Sequence, residues 1–237
     1  MTIEIKLAST LGFCFGVRRA LEIMDDAAKD REQIDSLGSI VHNSVVAEDL
    51  AAHDIRIVNE LENVGAHSVA ITAHGAGPEV HERITSGGHE LIDTTCPIVA
   101  RAQIAARKLV DAGFKVVLYG DANHAEVKGV VAWAKNASVV ASADVPIEIP
   151  GRKVALLSQT TKSHEAFSGF VAEFLNRNLH QINEVRIINT TCMETEVRYE
   201  AARDLSSEVD LMIVIGGRDS ANTSKLATVC RSTGVTT

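Results

Sequence analysis

The sequence predicts an α/β protein with parallel sheets, and three observations carry that prediction. Apolar strand-like runs alternate with amphipathic helical stretches from one end of the chain to the other. Hydrophobic residues make up 46% and charged residues 23%, the balance of a chain that buries a core and not of a disordered one. Three cysteines recur at long, similar intervals, each where a loop or strand end meets a helical pattern. Together they lead us to expect three pseudo-equivalent α/β units.

In chain order, strands are expected at 3–7, 68–73, 115–119, 153–158, 185–188 and 211–215. Helices are expected at 17–29, 98–112, 163–176 and 194–206, each with apolar residues three or four apart. A further helical run covers 223–232. Two prolines and a glycine interrupt the periodicity at 145–151, which reads as a linker.

The formal charge of −8 keeps the protein soluble and gives it no general attraction to nucleic acid or to an anionic membrane. Any anionic ligand must therefore be held by local donors. No run approaches the roughly 20 apolar residues that span a bilayer. The N-terminus alternates polar and apolar residues and lacks the layout of a signal peptide, so a cytoplasmic location is expected. Four cysteines in that compartment read as ligands, reactive thiols or core residues, not as disulfides.

Cys14 stands in Gly12-Phe13-Cys14-Phe15-Gly16, Cys96 in Thr94-Thr95-Cys96-Pro97 and Cys192 in Thr190-Thr191-Cys192-Met193. The intervals are 82 and 96 residues, and 45 residues follow Cys192. The expected units are 14–95, 96–190 and 191–237, the last joined by the N-terminal strand within 1–13 and expected to be incomplete. A cysteine at a helix start meets free N–H groups and the positive end of the helix dipole, which stabilise thiolate or cluster sulfur. Three such positions suit an iron–sulfur cluster with one iron left open as a Lewis acid. Buried, unligated cysteines and a zinc site with a histidine are the alternatives, although structural zinc sites usually carry a close-spaced ligand pair and none is present. Cys230, in the 223–232 helical run, reads as a core or surface thiol.

His53, His67, His81, His89, His164 and His180 have no distinctive sequence context. His42, His74 and His124 each closely follow a strand-like run, where parallel sheets place ligands, and imidazoles there can bind phosphate oxygens. Glu126, near a helix start, is either an N-terminal capping carboxylate or a proton donor. Thr160 in Gln159-Thr160-Thr161, and Ser220 and Asn222 in the 216–222 segment, serve either as caps or as donors around an anion.

These motifs, in this order, resemble the 4-hydroxy-3-methylbut-2-enyl diphosphate reductase (LytB) family along the whole chain. The matching segments are 12–20, His42-Asn43, Ala73-His74-Gly75, Thr95-Cys96-Pro97, His124 through Gly129, Gln159-Thr160-Thr161, Thr191-Cys192 and Ser220-Ala221-Asn222. The resemblance implies a trefoil of three α/β units around a central 4Fe-4S cluster held by Cys14, Cys96 and Cys192. It implies that His42, His74, His124, Ser220 and Asn222 hold a diphosphate, while Glu126, Thr160 and His124 serve the proton chemistry. With electrons from ferredoxin or flavodoxin, such an enzyme yields isopentenyl and dimethylallyl diphosphate. A non-catalytic cluster protein of the same fold, acting as a redox sensor or interaction partner, is the alternative.

Overall fold

The computed structural model describes residues 3–41, 43–135, 137–217 and 220–237. His42, expected to bind phosphate, lies outside the described residues. Two four-stranded, all-parallel sheets organise the chain.

The first sheet follows helix α1 (Phe15–Lys29) and comprises β1 (Ile34–Leu37), β2 (Ile55–Val58), β3 (Ser68–Ile71) and β4 (Glu90–Asp93), in the order β2-β1-β3-β4. Helices α2 (Ser44–Ala52) and α3 (Pro78–Ser86) make the crossovers, as parallel pairing requires. Ala20, Met24 and Ala27 of α1 pack with Ile34, Ile55 and Ala70 on one face. Ile84 of α3 packs with Val69 and Ile71 on the other. Adjacent residues of β3 thus supply opposite faces, the period of two that a strand imposes.

The second sheet comprises β5 (Lys115–Tyr119), β6 (Ser138–Val140), β7 (Lys153–Ser158) and β8 (Glu184–Ile187), in the order β6-β5-β7-β8. Helices α4 (Pro97–Asp111) and α5 (Ala125–Trp133) cover one face through Ala102, Ala106, Val127 and Val130 against Val116, Leu118, Ala155 and Leu157. The other face buries Val117, Val154 and Leu156 beneath Phe167, Phe170 and Phe174 of α6 (His164–Asn178). A sheet buried on both faces explains why β5 and β7 read as continuous apolar runs.

Three expectations change. Residues 3–7 belong to no strand, and Ile5 is 84% exposed. Segment 211–215 contributes only a parallel bridge from Leu211 to Thr236, with Ile215 91% exposed. An alternating apolar segment becomes a ladder strand only where a neighbour takes its N–H and C=O groups, and among the described residues Thr236 alone does so here, accepting from Met212 N at 2.8 Å. The expected linker at 145–151 instead connects β6 to β7 inside the second sheet, closing on a turn where Gly151 takes φ +69°.

Helices α7 (Met193–Ser206) and α8 (Ala221–Ser232) pack together around a small core of Ala202, Met212 and Cys230. Cys230 is fully buried there. Among the described residues no helix is long and apolar enough to cross a membrane.

Candidate active site

Each of the three matched cysteines is the residue immediately before a helix: Cys14 before α1, Cys96 before α4 and Cys192 before α7. No side-chain hydrogen bond from these cysteines caps its helix; the first amide of α1, Phe15 N, donates instead to Glu194 Oε2 at 3.2 Å. Pro97 opens α4, where its missing N–H costs nothing.

The fold brings the three thiols, all half-buried, into one electrostatic neighbourhood. Burial pushes the Cys192 thiol up, and Cys14 and Cys96 push it the same way, while the Glu194 N–H beside the sulfur pulls it down. The first turn of α1 presses against Cys96, since a Cβ added at Gly16 would lie 2.6 Å from Cys96 Sγ. Arg19, one turn on, donates from Nη1 to Thr95 O at 3.2 Å. Among the described residues, no three His, Cys, Asp or Glu side chains close on a point that would hold a single metal ion.

Two backbone hydrogen bonds join the cysteines to the expected polar residues. Cys96 N donates to Ala73 O at 3.0 Å, beside His74, and Cys192 N donates to Thr160 O at 2.7 Å. Thr160, just past the end of β7, turns to Glu126: its N–H reaches Glu126 Oε1 at 2.6 Å and its hydroxyl reaches Oε2 at 2.8 Å. Glu126 is 2% exposed. Burial pushes its carboxyl up and the two Thr160 bonds oppose the shift. The helix-start role open to Glu126 falls to His124, whose Nδ1 accepts from Glu126 N at 3.3 Å. That bond leaves the ring proton of a neutral His124 on Nε2.

His74 sits in the turn after β3, where Gly75 takes φ +72° and donates its N–H to Thr72 O at 2.9 Å. The His74 and His124 rings meet edge to face with centroids 5.7 Å apart, so residues fifty apart in sequence share one place. Ser220 caps α8 by accepting from Thr223 N at 3.3 Å, and Asn222 lies exposed in the first turn of the same helix. These two stand at one helix N-terminus, on a different element from the histidine pair.

The structure adds residues that the sequence did not single out. Gln103 of α4 is 5% exposed, and its Nε2 has no hydrogen-bond partner among the described residues. It lies where Cβ atoms on Gly75 and Gly129 would sit, 2.5 and 3.1 Å away. His164 gains the context it lacked in sequence: its ring contacts Thr191 Oγ1 at 3.0 Å and Met193 Sδ at 2.8 Å, on either side of Cys192. His81 likewise meets Asp93 at 3.7 Å, which draws its pKa up. Both contacts are tertiary and leave no local signal in the sequence.

A parallel α/β scaffold with three cysteines at helix starts, one of them, Cys192, hydrogen-bonded to Thr160 and so to a buried carboxyl, defines the class. The family described as LytB protein matches residues 5–237, and the chain belongs to that family. The chain is 41% identical over 97% of its length to a 4-hydroxy-3-methylbut-2-enyl diphosphate reductase of Dehalococcoides mccartyi, covering 82% of that protein. It is 39% identical to the enzyme of the same name from Geobacter sulfurreducens, over 96% of this chain and 80% of that one.

Two solved structures align along nearly the whole chain. One is (E)-4-hydroxy-3-methyl-but-2-enyl diphosphate reductase, the terminal enzyme of the non-mevalonate pathway, with TM-score 0.76 and 30% identity over 98% of this chain and 83% of that one. The other is the E-1-hydroxy-2-methyl-but-2-enyl-4-diphosphate reductase from Plasmodium falciparum, with TM-score 0.84 and 27% identity over 95% and 72%.

Proposed function

We propose that this chain reductively removes the hydroxyl of 4-hydroxy-3-methylbut-2-enyl diphosphate to give isopentenyl and dimethylallyl diphosphate. The observation that carries the reading is the connection from the Cys192 backbone through Thr160 to the buried Glu126 carboxyl, which places a proton-holding group one residue from a matched cysteine.

Cys14, Cys96 and Cys192 would hold a 4Fe-4S cluster at the centre of a three-unit trefoil. The donor set fits, because thiolate is the ligand such clusters take. The glycine at 16, which keeps α1 clear of Cys96 Sγ, fits as well. Cys14 and Cys96 both lie close enough to act on the Cys192 thiol, so the three donors share one place. When bound, the cluster supplies Lewis acidity and electrons, drawn from ferredoxin or flavodoxin.

The chain's own residues do the remainder. His74, His124 and His42, with Ser220 and Asn222, donate to the diphosphate, so an acidic protein concentrates donors where the anion sits. Burial holds Glu126 toward its protonated form. The Thr160 hydroxyl, which donates to Oε2 in this structure, would turn to give its own proton to the departing hydroxyl while Thr160 Oγ1 takes the Glu126 proton in its place. His124 fixes the start of α5 and with it the Glu126 backbone. Four unpaired cysteines fit the reducing cytoplasm, where we place the protein.

The test is anaerobic reconstitution with iron and sulfide, followed by turnover of the diphosphate with a chemical reductant. Product formation by brown, iron-loaded protein is expected. Loaded protein without product would favour the non-catalytic cluster protein.

A further inference from the structure

We infer that Glu194 and Arg198 form a clamp from α7 that fixes the Cys14 loop against the Cys192 helix, making Glu194 and Arg198 positioning residues for those two sulfurs. Its consequence for the loaded protein rests on the cluster reading above; the clamp itself does not.

The Cys14 loop has little of its own to hold it. Residues 3–14 belong to no helix or strand, and the Lys6–Glu208 ion pair at 3.2 Å is a surface contact. Such pairs typically contribute under about 1 kcal/mol. Gly12 takes φ +70°, which bends the chain just before Cys14. Phe15 opens α1, and the N–H of a first helical residue has no partner within its own helix.

The partner is Glu194, the second residue of α7, whose Oε2 accepts from Phe15 N at 3.2 Å. One carboxylate thus lies beside the N-terminal amides of two helices, each of which favours a negative charge. The amide of the same Glu194 faces the Cys192 sulfur. Arg198 lies one helical turn further and donates from Nη1 to Glu194 Oε2 at 3.0 Å and to Glu194 O at 2.8 Å. Its remaining donors reach across to the loop, Nε to Gly12 O at 3.3 Å and Nη2 to Phe13 O at 3.0 Å. Arg18 Nη1 adds a bond to the same Phe13 carbonyl at 2.9 Å.

The Arg198 side chain is 17% exposed, so water competes weakly for these bonds. A planar fork with five donors can grip a carboxylate and three carbonyls together; a lysine ammonium cannot hold all of them in one geometry. Both residues flanking Cys14 are therefore hydrogen-bonded to the helix that begins after Cys192.

The first experiment uses the protein without iron. A short bismaleimide is added, and the Cys14–Cys192 cross-link is quantified by peptide mass spectrometry. Arg198→Ala should form it about tenfold more slowly than the parent, the expected effect of losing charge-assisted bonds to the loop. Arg198→Lys should fall between the two. Unchanged cross-linking in Arg198→Ala, with an unchanged circular dichroism spectrum, would overturn the clamp. Should Arg198→Ala fail to fold, Arg198→Lys carries the same comparison.

A second readout uses reconstituted protein. The amide of Glu194→Gln can still accept from Phe15 N–H, so cross-linking should stay within about twofold of the parent. Its midpoint potential should shift positive, because a negative charge beside the sulfurs is gone. An unshifted potential would overturn the electrostatic part of the clamp. Slow cross-linking in Arg198→Ala together with a parent protein that takes up no iron would support the clamp and sink the cluster reading alone.

Discussion

The two halves of the site are built in opposite ways. Glu126 is sealed from water, and Thr160 donates to both of its carboxyl oxygens. The three cysteines stand half-open at helix starts, with their positions imposed from outside by Gly16, Arg19, the Ala73 and Thr160 carbonyls and the Glu194–Arg198 pair. The difference teaches that a proton can be held ready by packing alone, because a buried carboxyl shifts toward its neutral form without any ligand. For the proposed cluster the cysteines must be held apart and left accessible, so hydrogen bonds from neighbouring segments set their backbone positions.

The sharpest way to break the comparison is Glu126→Gln. The amide keeps the shape and an acceptor for Thr160 but removes the proton. Turnover should fall by about 10²–10⁴-fold, the usual contribution of general acid catalysis, while iron per chain stays at the parent level. Loss of iron in that variant would show that the two halves are not separable.

Next in size is Gly16→Ala. The added methyl would lie 2.6 Å from Cys96 Sγ, so α1 or the sulfur must move. Overpacking of this kind costs roughly 1–3 kcal/mol, to be read by thermal denaturation, and reconstituted iron content should drop with it. Full iron content would mean that the cysteine half tolerates displacement that this geometry forbids.

The smallest effect is a pH dependence of stability. Burial raises the folded pKa of Glu126 above that of the unfolded chain, about 4.3. Below that value both states are protonated and Glu126 adds no penalty. As pH rises toward and through the folded pKa, the unfolded state ionises more readily and wild-type stability declines. The melting temperature of Glu126→Gln relative to the parent should therefore increase between pH 4 and pH 8, about the range over which buried glutamates titrate. A constant difference across that range would remove burial as the cause.

The sequence was most readable where structure is local. The start of α4 is written in Thr95-Cys96-Pro97, and a proline at the first helical position is a signal that needs no tertiary context. Strands β5 and β7 were legible because both their faces are buried and their apolar runs are uninterrupted. Strand β1 was not, because its interior carries Asp35 and Ser36. Asp35 is accommodated only by Arg56 and the amides of Gly65 and Ala66, which hold its carboxyl at about 2.

Segment 211–215 has the pattern of a strand yet, among the described residues, meets only Thr236 as a backbone neighbour, and periodicity cannot report whether a neighbour exists. In the site, the cysteines and histidines announced themselves by type and order. The burial of Glu126, the contact of His164 with Thr191 and the reach of Arg198 to Phe13 depend on segments 27 to 185 residues apart. No window of sequence contains them.

The central claim is that Cys14, Cys96 and Cys192 hold one cluster whose open iron shares a pocket with Glu126 and the histidines. The most direct measurement is Mössbauer spectroscopy of the anaerobically reconstituted protein during titration with 4-hydroxy-3-methylbut-2-enyl diphosphate. The expected result is a change confined to one iron, complete at one diphosphate per chain. An intact cluster whose irons all remain unchanged at saturating diphosphate would contradict the account.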